Sequence, residues 1–378
     1  MVPLQHALVL IILNDKLTYW CDYAVQTIHL LSAKNTVVVF CSEDAISWKD
    51  VFTARTSISC FEKKWNALLF HPFFFIPGQR FEMIKLLNYQ INARFLHWYL
   101  QKISKQKKKI FWFFDPLYIT SLISPFSDYL SVYDCVDYYQ GVSKQLQMKD
   151  QFLLRTATVV FANSKTLVRK FRAYRSDIHL VPLGFAKDVF EQAKVHRTPK
   201  EKHTIIGFVG GITRRIDYRL LTVVAKRFPE IIFQFYGACR ADAMKTNGKL
   251  DKDIETYFSL PNVRLEGPVL KMDIPSVIAS FDLCIIPYRT EDTFNRYCFP
   301  MKVMEYFYMG KPVLATPIEE LKRFPKFVSL GATPEEWEFF IRALLSRPWP
   351  VQYQREQRKI ANVNSWEKKI SYLTEYID

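Results

Sequence analysis

Short, wholly apolar runs alternate with amphipathic stretches along most of the chain. Ala7 to Leu13 (ALVLIIL) is apolar at every position, which predicts a parallel strand covered on both faces. An amphipathic stretch from about Tyr23 to Ala33 and a second run, Thr36 to Phe40, complete a βαβ opening. Further strands are predicted at IFWFF (110–114), LSVYDCVDYY (130–139), Thr156 to Ala162 and HLVPLGF (179–185), with a basic helix from Lys165 to Tyr174. A polar segment from Lys187 to His203 interrupts the rhythm, which restarts with TIIGFVG, FQFYGA (233–238) and NVRLEGPV (262–269). A helix near Ile274 to Ser280 and the strand FDLCIIPY (281–288) follow. The pattern predicts an α/β protein with two doubly wound, Rossmann-like parallel-sheet domains. The boundaries it suggests are 1–186, a linker at 187–203, and 204–362. At 363–378, Trp366, Ile370, Leu373 and Ile377 fall at helical spacing.

The most informative stretch is FPMKVMEYFYMGKPVLAT, Phe299 to Thr316. Pro300 suits a first helical position, where its missing N–H costs nothing. Gly310 suits the residue just past the helix end, and Pro312 prevents resumption before a short buried strand. The expectation is a three-turn helix feeding a strand. Lys302 and Glu305 then lean toward one side near the helix start. A lysine there can add charge to a bound diphosphate, and the carboxylate can accept from two neighbouring ribose hydroxyls. The same spacing equally describes an intrahelical ion pair on a buried amphipathic helix.

Length and composition narrow the picture. At 378 residues, 49% of them hydrophobic, the chain suits two cores of ordinary size. Its net charge of +15 is uneven: residues 1–200 hold 26 Lys and Arg against 15 Asp and Glu, and the remainder 26 against 22. A basic first half suits phosphate-bearing substrates, an anionic membrane or nucleic acid. The segment from Trp65 to Lys109 is both aromatic and basic, ending in KISKQKKK. It reads as core with a solvated charged face, as a peripheral membrane or lipid-linked acceptor surface, or as a single-strand binder. No nucleic-acid module motif supports the last. Seven scattered cysteines without C-x-x-C or nearby Cys/His spacing indicate neither a disulfide framework nor zinc, and fit reduced thiols in a cytosol. The apolar run at 7–13 is too short to span a bilayer, lacks signal-peptide flanks, and is expected to be the first strand. The loop after it lacks G-x-G-x-x-G, so a dehydrogenase fingerprint is absent.

Acidic residues at the carboxyl ends of strands lie where open α/β sheets bind ligands, which singles out Asp115, Asp134 and Asp137. Each has a plainer use as a helix cap. In the second domain, Gly210-Gly211 followed by Arg214 and Arg215 would let a phosphate approach the backbone beside a bidentate cation. An ordinary βα turn with solvated arginines reads the same way. Gly237 and the Glu266-Gly267 turn stand at strand ends where a base could sit.

P-x-K-x-x-E-Y followed by G-K-P-V resembles the donor-site helix of family 4-type (group 1) glycosyltransferases with the GT-B fold, in which two Rossmann-like domains face a central cleft. YDCVDYY and VVFANS (159–164) resemble the acceptor domain of that family. The likeness extends to members that build cell-surface polysaccharides such as teichuronic acid. It implies that Glu305 binds the donor ribose and that Asp137, or failing it Asp134, faces the acceptor. The implied donor set is Gly210, Gly211, Arg214, Arg215, Gly237, Asn295, Tyr297, Pro300, Lys302 and Glu305. Three departures stand out. Leu183 replaces the Asn of V-P-N-G, Gly211 sits where members often carry Arg, and Tyr297 occupies the place of a sugar-contacting Glu. The last of these shifts sugar contact to the backbone or to neighbours such as Asn295. The implied activity is metal-independent, retaining sugar transfer from a nucleoside diphosphate sugar to a glycan or lipid-linked acceptor, with no cofactor. It would take place in the cytoplasm, with peripheral contact at the inner membrane face. The family also implies that the last helix packs back on the first domain. An epimerase of the same fold and a non-catalytic nucleotide-sugar or lipid-binding protein are the alternatives.

Overall fold

A computed structural model describes residues 4–15, 22–53, 59–118, 122–193, 203–239, 245–246 and 249–377. It divides into two compact units, Met1–Pro182 with Glu367–Asp378, and Leu183–Trp366. The division precedes the polar segment at 187–203 because Lys187–Gln192 is a helix of the second unit. There Phe190 packs on Phe185 and Tyr308 at centroid distances of 5.5 and 5.6 Å. The remainder of the expected linker, 194–202, lies outside the described residues.

The first unit is built on β1 (Leu8–Leu13), β2 (Thr36–Cys41), β3 (Phe61–Lys64), β4 (Ala67–Phe70), β5 (Lys109–Phe113), β6 (Leu130–Cys135), β7 (Val159–Ala162) and β8 (Ile178–Leu180). They form one sheet in the order β8-β7-β6-β5-β1-β2-β4-β3. Only the β3–β4 pair is antiparallel. Every residue of β1 is buried, as its unbroken apolar run requires of a central parallel strand. Helices α1 (Asp22–Ser32) and α2 (Glu82–Ile103) cover the sheet, and α2 buries Tyr89, Ala93, Leu96 and Leu100.

From the far end of the sequence, α9 (Trp366–Glu375) supplies Lys369 to this unit. Its ammonium donates to both carboxylate oxygens of Asp134 at 3.2 and 3.0 Å, and both side chains are almost fully buried. An ion pair so placed adds little net stability, yet removing one partner strands a buried charge at a cost of about 3–5 kcal/mol. It therefore fixes where the last helix sits.

The second unit carries a fully parallel six-stranded sheet. Its strands are β9 (Ile205–Val209), β10 (Ile232–Tyr236), β11 (Val263–Gly267), β12 (Leu283–Ile286), β13 (Val313–Ala315) and β14 (Val328–Leu330), in the order β11-β10-β9-β12-β13-β14. Helix α5 (Tyr218–Arg227) starts at Asp217, whose carboxylate accepts from Leu220 N at 3.0 Å.

Helix α6 (Lys302–Tyr308) is seven residues long, shorter than the three turns expected from Pro300. Pro300 and Met301 instead form a tight lead-in, with Val303 N and Met304 N bonded three residues back. The stop is as expected. Gly310 has φ +65°, its N–H meets Phe307 O and the N–H of Lys311 meets Tyr306 O, which is a Schellman closure. Helix α8 (Val351–Asn362), not legible as an element in the sequence, covers this end: Gln357 donates to Lys311 O at 2.7 Å and Arg358 to Tyr308 O at 3.0 Å.

Candidate active site

The chemistry of the second unit gathers at the carboxyl ends of β9 and β12. Two glycines make the first approach possible: a Cβ on Gly237 would lie 1.8 Å from Gly210 O. With no side chain at either position, the turns after β9 and β10 run against each other, and Ile212 bridges to Cys239 beyond them. Helix α6 is tied to the same place by Tyr306, whose buried hydroxyl accepts from Val209 N at 3.1 Å. This pins the start of α6 against the end of β9.

Lys302 therefore runs directly past Gly210, where an added Cβ would meet Lys302 Cε at 2.9 Å. Its ammonium donates to the Tyr288 hydroxyl and lies 4.8 Å from the Tyr288 ring centroid and 5.1 Å from that of Phe208. Arg215 uses the same ring. Its guanidinium carbon is 4.9 Å from the centroids of both Tyr288 and Phe294, and its Nε donates to Asn295 Oδ1 at 2.7 Å. Asn295 is held in turn by donating to Arg289 O at 3.1 Å. Two cations thus share one tyrosine, each fixed by at least one hydrogen bond and by ring faces that attract positive charge. Confining like charges together favours an anionic ligand, because solvent does not relax around them as it does around free side chains.

Of the other donor-set residues, Glu305 is half-buried on α6, Pro300 is buried in the lead-in, and Tyr297 and Gly211 are half-buried. Arg214 is exposed and lines a pocket with Arg219, Arg289, Asp251 and Asp253. Of the two arginines that the sequence left equal, Arg215 is the one seen over the Tyr288 ring. Asn295 has both ends of its amide engaged within the protein. Tyr288, Phe208 and Phe294 were not among the expected residues. For Tyr288 and Phe208 the one sequence signal is an aromatic at or just past a strand end, such as the Tyr after Ile286-Pro287, whereas Phe294 stands on the short helix Thr293–Arg296.

In the first unit, Asp137 is half-buried just past the carboxyl end of β6, and Asp134 is the buried partner of Lys369. Asp115, just past β5, accepts from Asn14 Nδ2 and Leu117 N, both at 2.8 Å. Desolvation pushes its pKa up to about 6. The crevice between β1 and β5 is where the strand order reverses, the position at which open α/β sheets bind ligands. Asp150 is likewise pushed up to about 6 by burial, and it accepts from Tyr133 and from Gln140, the latter at 2.8 Å.

Residues 203–344, the span that holds β9 through α6, match the family described as glycosyl transferases group 1. The chain is similar to the Bacillus subtilis protein TuaH, named as a glycosyltransferase of teichuronic acid biosynthesis, at 24% identity over 272 residues. The match covers 65% of this chain and spans 66% of the length of TuaH. Among solved structures, sucrose-phosphate synthase from Thermosynechococcus elongatus superposes with a TM-score of 0.75 at 15% identity, covering 98% of each chain. Anabaena HepE, in complex with UDP and glucose, gives 0.70 at 13% identity, covering 98% of this chain and 99% of HepE. These structures share the GT-B glycosyltransferase fold class with the chain. The Lys302–Tyr288–Arg215 cluster lies wholly inside the matched segment.

Proposed function

We propose that the protein is a glycosyltransferase that moves a sugar from a nucleoside diphosphate sugar to a hydroxyl of a glycan or lipid-linked acceptor, in the assembly of a cell-surface polysaccharide. The observation that carries this reading is the pair of fixed cations on Tyr288 inside the matched segment. As the glycosidic bond breaks, negative charge grows on the departing diphosphate. Lys302 and Arg215 supply charge that needs no reorganisation at that moment, which supports a metal-independent reaction. Glu305, one turn on from Lys302, is the acceptor for two ribose hydroxyls. Gly210, Gly211, Gly237, Pro300 and Tyr297 are the backbone and surface of the donor site, with Arg215 rather than Arg214 as the diphosphate cation and Asn295 acting through Arg215.

On the acceptor side the assignment is Asp137 as the base that takes the hydroxyl proton. Asp134 is set aside because Lys369 occupies its carboxylate. Retention of anomeric configuration, a cytoplasmic site of action and attachment at the inner membrane face complete the proposal. Among the described residues no helix is long and apolar enough to cross a membrane.

Purified full-length protein incubated with UDP-, GDP- and ADP-hexoses is expected to release the nucleoside diphosphate from one donor class and form a glycoside when acceptor is present. Isomerised sugar nucleotide without glycoside would identify an epimerase instead. Tyr288→Phe keeps the ring but removes the hydroxyl that fixes Lys302. It is expected to lower kcat by roughly 10-fold while leaving KM for the donor within about 2-fold, since one hydrogen bond to a charged group contributes about 1.5–3 kcal/mol. An unchanged kcat would remove Tyr288 from the assignment.

A further inference from the structure

The 22-residue helix α2 is apolar on two faces rather than one. Its inner face buries Tyr89, Ala93, Leu96 and Leu100 under the sheet, while Met83, Leu87, Phe95 and Trp98 recur on the outside at helical spacing. Met83 is 83% exposed and Trp98 50%. From Met83 to Lys102 this outer stripe is roughly 28 Å long at the α-helical rise. Ordinary surface helices place polar residues there. Nearby in the sequence, Trp48 stacks on Phe52 and donates its indole N–H to Phe75 O at 3.0 Å. Phe52, at 81% exposure, and Phe75 stand in solvent.

Charge accompanies these apolar residues. Residues 80–109 contain eight Lys and Arg against a single Glu. Lys102 Nζ lies 4.1 Å over the Trp98 ring and the Arg80 guanidinium 4.8 Å over Phe81. Long cationic side chains laid along exposed aromatics are arranged to keep their stems in an apolar phase and their heads among phosphates. We infer that the outer face of α2, with the Trp48–Phe52 cluster and the lysines after Ile103, docks on an anionic lipid surface. A second copy of the chain fits this face poorly, because self-association would bring two dense positive surfaces together. A single-stranded nucleic acid would use the aromatic rings but leave Met83, Leu87 and Ile103 in water, whereas the headgroup–acyl boundary accepts all of them.

The inference specifies the surface for the membrane attachment proposed above but does not rest on the donor-site reading, and both are measurable on the same sample. Full-length protein is to be sedimented with vesicles of phosphatidylglycerol and phosphatidylcholine, and with phosphatidylcholine vesicles alone. Binding to the anionic vesicles is expected, falling steeply with salt. The pairs Leu87→Ser/Trp98→Ser and Lys102→Glu/Lys105→Glu should each weaken it roughly 10-fold or more, with thermal midpoint and donor binding unchanged. All four residues are exposed, so the fold tolerates the changes. Equal sedimentation of the variants and the parent, or no difference between the two vesicle types, overturns the inference. So does a dimer in ultracentrifugation that Leu87→Ser/Trp98→Ser abolishes, or retention by single-stranded RNA without vesicle binding.

Discussion

Lys302→Ala is expected to lower kcat for sugar transfer about 100-fold, with a smaller rise in KM for the donor. The argument rests on where charge changes during the reaction. The ground-state diphosphate already attracts the lysine, so part of the loss appears in binding. The β-phosphate becomes more negative as the glycosidic bond lengthens, and that increment is stabilised only in the transition state. Lys302 is suited to it because Gly210 lets it pass, Tyr288 holds its ammonium and the Phe208 ring flanks it. Arg215, anchored by Asn295, carries the other half of the charge, so activity should persist at a low level rather than vanish. Steady-state kinetics on the two purified proteins check this. Equal losses in Arg214→Ala and Lys302→Ala would contradict the assignment, which gives the diphosphate to Arg215, stacked on Tyr288.

Asp137→Asn is expected to reduce kcat by on the order of 10²–10⁴, the usual scale for losing a general base. Donor affinity should stay the same. Asparagine preserves the shape and one oxygen but accepts no proton, so a purely steric or hydrogen-bonding role would survive the change. Asp134→Asn is the informative control. It leaves Lys369 buried beside a neutral amide, so its loss should be thermal stability, about 3–5 kcal/mol, rather than a specific fall in turnover. A kcat for Asp137→Asn equal to that of the parent would move the base elsewhere, with Asp115 at the crevice between β1 and β5 next in line.

Much of the architecture is legible in local pattern. Parallel strands buried on both faces read as continuous apolar runs, which is why β1, β2, β5 and β12 stand within one or two residues of their expected places. Gly310 ends α6 where expected because only a residue free to adopt positive φ closes a Schellman motif without strain. The start of α6 was not legible. Proline at 300 fits a first helical position and a tight lead-in equally well.

What the sequence could not supply were partners separated by long stretches of chain. Arg215 and Asn295 are 80 residues apart and Lys369 and Asp134 are 235 apart. No periodicity encodes either pair, so Arg214 and Arg215 looked alike and Asp134 looked available. Tyr288 was hidden for a related reason. An aromatic after a strand reads as core until its ring is seen under two cations. The outer face of α2 shows the same ambiguity reversed, since exposed and buried aromatics of one helix look alike in a run of apolar letters.

The central claim is that the second unit grips a pyrophosphate-linked sugar. Isothermal titration calorimetry of the full-length protein with UDP-, GDP- and ADP-hexoses tests it most directly. The prediction is one-to-one binding of at least one donor class, weakened about 10-fold or more in Lys302→Ala and in Glu305→Ala, as expected when a charged partner of the ligand is removed. Absence of heat with every donor, or binding that both substitutions leave intact, would contradict it.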